Sequence, residues 1–257
     1  MSTVANLKTK PVRDTEEWQL RVDLAAAFRL AVEFNWHEGV ANHFSLAVSP
    51  DGRKFLLNPR WKHFSMIRAS DLLLVDVDDP DTMKRPDAPD ASAWCIHGNI
   101  HAHVPHARCL LHCHPAYGTA LAALADPEIK PIEQNTARFY NRTHIDLGFG
   151  GIADDNAEGE RLARARALGN KSVMMMGNHG VLVAGTTVAE AFDSLYYLEK
   201  ACQTMVLAYS TGQKLNVMPP ALAEKTAQGW DSYKDMAFAH FEEMKRLLDR
   251  KDPSYAD

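Results

Sequence analysis

Two apolar runs that end in histidine constrain this chain more than any other feature. The first, Ala107-Arg-Cys-Leu-Leu-His-Cys-His-Pro115, closes in His-x-His ahead of a proline. Such a run reads as a buried β-strand meeting a helix. Residues two apart on a strand share a face, with Cα atoms roughly 6 to 7 Å apart, so His112 and His114 can aim at one point. The second run, Ser172 to Met176, leads into Met174-Met-Met-Gly-Asn-His-Gly180 and so to His179. A lone His-x-His is equally well read as core histidines donating to backbone carbonyls. The further histidine at the end of another strand favours a metal site of His112, His114 and His179, with each nitrogen about 2.0–2.1 Å from a zinc ion. Cys113 lies between the pair, faces the opposite side of the sheet and is a poor ligand. Met174 to Met176 reads as core packing.

Composition narrows the class of partner. A length of 257 residues fits one large α/β domain, and 46% hydrophobic residues can bury a core. The net charge of −5, with no basic cluster, argues against nucleic acid. No stretch of about 18 apolar residues is present, so no membrane span is expected, and the first residues lack the apolar core of a signal peptide. Cys95, Cys109, Cys113 and Cys202 follow no framework spacing and read as reduced cytosolic thiols. A cytoplasmic protein with a small-molecule substrate is expected.

Residues 1–13 read as a polar, flexible arm. Asp14, with Glu17 after it, is expected to cap a helix running to about Trp36 and ended by Gly39. A hairpin is expected from Asn42–Val48 and Lys54–Leu57 around Ser49-Pro-Asp-Gly52, then a strand Leu72–Val77. Residues 78–90 read as a surface loop. A helix from Ala91 to His103 has Ser92 as its candidate cap, and another runs from Pro115 to Ala125. Residues 126–155 are hard to read, and 155–168 reads as a charged helix. Val181–Ala184 is a strand, and Thr187-x-x-Glu190 reads as a capping box opening a helix to about Ser210. After Pro219-Pro220 a helical extension from about 221 is expected, with Gly229 as its candidate interruption; 14–257 is read as one domain.

The motifs together resemble the class II aldolase/adducin family, which contains fuculose-phosphate aldolase and ribulose-phosphate 4-epimerase. The resemblance rests on Asn42-His-Phe-Ser45, Ser70-Asp-Leu-Leu-Leu-Val-Asp76, Leu111-His-Cys-His-Pro-Ala-Tyr117 and Asn178-His-Gly-Val-Leu-Val-Ala-Gly185, within about Asp14 to Gly212. It implies an α/β fold, a three-layer α/β/α sandwich with a mostly antiparallel central sheet. It also implies a homotetramer with sites at subunit interfaces. In the enzymes, the residues matching His112, His114 and His179 hold a divalent metal, zinc first, with iron, manganese or cobalt as alternatives.

The departures from that pattern are as informative. The aldolases carry Ser-Ser-Glu and the epimerases Ser-Ser-Asp where this chain has Ala91-Ser-Ala93. Ala93 replaces the proton-transfer carboxylate, and a methyl group moves no proton. The phosphate cradle is altered too: Asn42-His43 replaces a Gly-Asn pair, Asn58-Pro-Arg-Trp61 replaces a glycine turn, and only Ser92 remains of the serines. Glycine lets backbone N–H groups approach an anion closely. Trp61 would obstruct that approach, whereas Arg60 offers a fork suited to a carboxylate. A surface salt bridge is the plainer reading of Arg60. Candidate substrate-binding residues are therefore Asn42, Arg60, Trp61 and Ser92. Candidate catalytic residues are His97, one helical turn from position 93, and Tyr140, near where aldolases supply a tyrosine from a neighbouring subunit, although the best alignment puts Gln134 there. For His97 the competing reading is a structural histidine under the sheet.

These residues point first to a metal-dependent lyase. It would decarboxylate, or cleave in aldol fashion, a non-phosphorylated oxo- or hydroxy-acid through a metal-bound enolate. Decarboxylation better survives the loss of a base at Ala93. The alternatives are a non-haem Fe(II) oxygenase acting on an aromatic acid and a non-catalytic, adducin-like assembly module.

Overall fold

The computed structural model describes residues 15–104, 106–151, 160–161 and 171–257. Seven strands form one sheet in the order β3-β2-β1-β4-β7-β6-β5. The strands are β1 (His43–Ala47), β2 (Lys54–Leu57), β3 (Leu73–Asp76), β4 (Cys109–Cys113), β5 (Thr143–Asp146), β6 (Val173–Met176) and β7 (Gly180–Gly185). Every neighbouring pair is antiparallel except β5–β6. Helices cover both faces, giving the expected three-layer α/β/α sandwich.

The two-residue period of the strands sorts their side chains onto opposite faces. Cys109, Leu111, Cys113, Val173, Met175, Val181 and Val183 face a large core with the helices Glu16–Glu33 and Val188–Ser210. Leu110, Met174, Met176, Leu182 and Ala184 face Ile96 and Ile100 of the helical segment 91–103. Cys113 therefore points away from its flanking histidines, as expected, and burial pushes its thiol well above the usual range. The methionine run is core, split between the two faces.

Several element ends differ from expectation. Thr15 caps the first helix by accepting from Trp18 N–H, while Asp14 lies outside the described residues. That helix stops at Glu33, ahead of Gly39, because Asn35 turns to φ +56°. Asp90 rather than Ser92 caps the segment 91–103, because its carboxylate accepts from the N–H groups of Ser92 and Ala93. The middle of that segment, Trp94–Gly98, is a π-turn between Ala91–Ala93 and Asn99–His103. Pro115 caps the Ala116–Ala122 helix instead of starting it. Thr187 does cap Val188–Ser210, but Glu190 bonds Thr186 and so leaves the box open. Gly229 sits inside the Pro220–Asp231 helix, and the break falls after it, before Lys234–Lys251. The charged helix expected over 155–168 lies almost wholly outside the described residues.

Candidate metal centre

The antiparallel pairing of β1 with β4 sets His43 opposite His112 at one end of the sheet. His114 follows directly after β4, and His179 sits in the turn joining β6 to β7. That turn is held from two sides: Gly177 N–H donates to Asp146 O (2.7 Å) and Asn178 N–H to Ala122 O (3.2 Å). A Cβ on Gly180 would lie 2.5 Å from His114 Cδ2 and 2.8 Å from the Cys113 carbonyl oxygen. Only glycine lets the His114 ring approach the turn so closely. Glu199 then anchors the segment after His114, accepting from Tyr117 N–H (2.9 Å) and Gly118 N–H (2.7 Å). Burial raises the Glu199 carboxyl above its ordinary range, although both N–H bonds oppose the shift.

The imidazoles of His112, His114 and His179 converge, with one nitrogen from each lying within 4.8 Å of the others. Ring centroids are 5.0 Å apart for His112–His114, 4.8 Å for His112–His179 and 4.9 Å for His114–His179. His112 Nδ1 bonds the Val181 carbonyl oxygen at 3.0 Å, and His114 Nδ1 bonds the Glu38 carboxylate. Both partners only accept, so each Nδ1 carries a proton, and in the neutral form of each ring Nε2 is free to bind a metal. The two Nε2 atoms face one another at 3.2 Å. In two neutral rings of this tautomer, both Nε2 lone pairs would face that gap, where a shared cation would satisfy them. Two nitrogens on a tetrahedral zinc ion stand about 3.3 Å apart, given bonds of about 2.0–2.1 Å. The donor set therefore fits a divalent metal.

Around this triad the structure sorts the other candidates. His97 is fully buried and meets not the metal site but His43, Nε2 to Nδ1 at 2.8 Å. His43 in turn stacks on His112, 4.8 Å between centroids. Burial, chiefly, drives His43, His97 and His112 well below their usual range, and neighbouring histidines add to the effect. Asn42 is buried, and its side-chain Nδ2 and Oδ1 have no partner among the described residues. Ser92 is half-buried, with Oγ 3.5 Å from His43 Nε2, and Ala93 is buried. The Arg60 guanidinium lies over the Trp61 indole at 4.6 Å from its centroid, both residues are exposed, and Trp61 has φ +60°. No ion pair of Arg60 is found among the described residues. Tyr140 precedes β5 at the opposite end of the sheet, away from the triad of its own chain.

Sequence reasoning missed Glu38, His43, Phe149 and Glu199. Glu38 and Glu199 act through long-range contacts that no spacing announces. Phe149, 5.9 Å from His179 between centroids, comes from the unreadable stretch 126–155. His43 did carry a signal, since it stands beside Asn42 in a quoted motif.

An α/β/α sandwich with a histidine triad at one end of its sheet defines the class. The chain belongs to the class II aldolase and adducin family: the Class II Aldolase and Adducin N-terminal domain matches residues 22–206. An aldolase class 2 protein of Caulobacter vibrioides is 31% identical over 246 residues, covering 94% of this chain and 93% of that one. The crystal structure of an aldolase II superfamily protein from Pseudomonas syringae superposes with a TM-score of 0.84. It is 34% identical, over 94% of this chain and 96% of its own. Two relatives at 27% identity carry names of different chemistry. One is the decarboxylase NovR of Streptomyces niveus, matched over 77% of this chain and 75% of its own. The other is the 4-hydroxy-3-prenylphenylpyruvate oxygenase/4-hydroxy-3-prenylbenzoate synthase of Streptomyces roseochromogenus, matched over 77% and 73%.

Proposed function

We propose that this protein is a metal-dependent lyase that decarboxylates, or cleaves in aldol fashion, a non-phosphorylated oxo- or hydroxy-acid. The observation that carries the reading is the convergence of His112, His114 and His179, with the Nε2 atoms of the first two 3.2 Å apart. His112, His114 and His179 would hold the ion. Zinc is the first choice, with iron, manganese or cobalt as alternatives. A bound divalent ion supplies Lewis acidity, withdrawing charge from a substrate oxygen as a C–C bond breaks. The Val181 carbonyl and Glu38 keep the rings in the ligand tautomer, an arrangement that typically tunes metal affinity. Ala93 leaves no carboxylate to deprotonate a substrate hydroxyl, which favours decarboxylation over aldol cleavage. The unpartnered Asn42 amide suits a polar substrate group, and Arg60 suits a carboxylate. The decarboxylase among the relatives supports the same chemistry.

Elemental analysis of the purified protein beside His114→Ala tests the metal. The expected result is one divalent ion per chain in the wild type and loss of most of it in the variant. Carbon dioxide release from a panel of 2-oxo and hydroxy acids, abolished by a chelator, tests the reaction. A wild-type protein without metal would overturn the reading and favour an adducin-like module. A second reading, an Fe(II) oxygenase of an aromatic acid, draws on the oxygenase among the relatives. Iron in the protein, with oxygen consumed during turnover, would replace the lyase by that reading.

A further inference from the structure

A buried polar chain adjoins the metal centre without belonging to its ligand set. His43 Nδ1 lies 2.8 Å from His97 Nε2, His97 Nδ1 lies 2.5 Å from Ser45 Oγ, and Ser45 Oγ lies 2.8 Å from His101 Nε2. None of these four residues is more than 3% exposed. At the other end of His43, Nε2 lies 3.5 Å from Ser92 Oγ, which bonds Asp90 Oδ1 at 2.6 Å. The π-turn Trp94–Gly98 carries His97. Such turns interrupt helices most often at functional sites.

The chain can be protonated consistently from its charged end. The Asp90 carboxylate only accepts, so Ser92 gives it the hydroxyl hydrogen and offers His43 a lone pair. His43 Nε2 then carries a hydrogen and Nδ1 accepts from His97 Nε2–H. His97 Nδ1 accepts from Ser45 Oγ–H, and Ser45 accepts from His101 Nε2–H. Every donor points toward Asp90, and all three imidazoles are neutral. The bond from His43 to Ser92 is the longest in the series, so its N–H is the least committed.

We infer that His43 Nε2–H is a hydrogen-bond donor to the substrate oxyanion, its tautomer set by Asp90 and Ser92 in front and by His97, Ser45 and His101 behind. The inference rests on the lyase reading and names the group that meets the developing negative charge where the family's carboxylate is Ala93. No proton changes hands; a fixed dipole stabilises charge as it forms.

The test uses zinc-loaded protein and oxalate, a planar dianion resembling an enolised 2-oxo acid, titrated calorimetrically. His43→Phe keeps a ring against His112 but has no N–H. It should retain zinc and bind oxalate about 10- to 100-fold more weakly, the loss expected for a hydrogen bond to a charged group. His43→Gln keeps a donor and should restore oxalate affinity to within a few-fold of wild type. Ser45→Ala touches neither metal nor ligand. It should shift the ¹⁵N spectrum of His43 from pure Nε2–H to a tautomer mixture, with a smaller loss of oxalate affinity. Unchanged oxalate binding in His43→Phe, equal losses in His43→Gln and His43→Phe, or an Nδ1–H tautomer in the wild type would each overturn the inference. A wild type that takes up no divalent metal would overturn the lyase reading itself, and this inference with it.

Discussion

The buried polar clusters around Asp193 and around His97 are built on opposite principles. On the helix Val188–Ser210, Asp193 is 1% exposed and accepts from Arg138 Nη2 and His240 Nδ1, each at 2.7 Å. Burial pushes the Asp193 carboxyl up, but His240 and Arg138 outweigh that and hold it below the usual range. Arg138 also packs over Tyr197 and Trp230, 4.8 Å and 5.2 Å from their centroids. This cluster is charged, and it ties the Gln134–Arg138 and Lys234–Lys251 helices to the central one. The His43–His97–Ser45–His101 chain, by contrast, is neutral: burial brings His101 down to about 3 and the other histidines well below their usual range. Imidazolium groups beside a divalent cation would repel it. A charged cluster suits a clamp between helices, whereas a neutral one suits the neighbourhood of a metal.

The largest expected effect tests the clamp. Asp193→Asn leaves Arg138 without its counter-charge, and breaking a buried pair in this way costs about 3–5 kcal/mol. Urea denaturation should register that loss while metal content stays at the wild-type level. Parallel loss of metal would mean that the two clusters do not act separately. Gly180→Ala tests the opposite case. The added methyl would sit 2.5 Å from His114 Cδ2, so the ring must move. Metal affinity should fall at least as far as for a lost orienting partner, about 10- to 100-fold, and the urea midpoint of the metal-free protein should fall too, because the Cys113 carbonyl oxygen, 2.8 Å from that methyl, must also shift. Wild-type affinity in this variant would show that His114 has room to relocate.

The two regions also differ in how well the sequence announces them. The strands leading to the histidines at 112, 114 and 179 were legible because alternation and the terminal residues are local properties. The same holds for the Ser49–Gly52 hairpin and the Thr187 cap. The Arg138–Asp193–His240 clamp was not legible, since its members come from three helices and no periodicity links them. The site was half legible. Helical spacing set His97 one turn from position 93, yet its ring faces His43 and not the metal triad. That outcome depends on the cross-strand register of β1 and β4. Asp90 outcompeted Ser92 as the cap because its carboxylate reaches the N–H groups of both following residues. Tyr140 could not be placed, because the unpatterned stretch around it gives no hint of which end of the sheet it occupies.

The smallest effect separates the clusters by pH. An unfolded histidine titrates near 6.5, whereas buried His101 titrates only at about 3. Between these values the unfolded chain binds a proton that the folded chain refuses, so folding stability falls as pH drops through that window. The slope is at most about 1.4 kcal/mol per pH unit for each such histidine. Asp193, with its folded value lowered, contributes stability above the unfolded carboxyl value of about 3.9 and loses it only as pH falls further. Acid sensitivity between pH 6 and 4 therefore belongs to the histidines. His101→Gln retains an N–H donor for Ser45 but cannot titrate. In metal-free protein, urea unfolding at a series of pH values should show a slope shallower by about one bound proton in this variant. An unchanged slope would mean that His101 already carries its proton in the folded chain, and the neutral character of this cluster would be lost at its inner end.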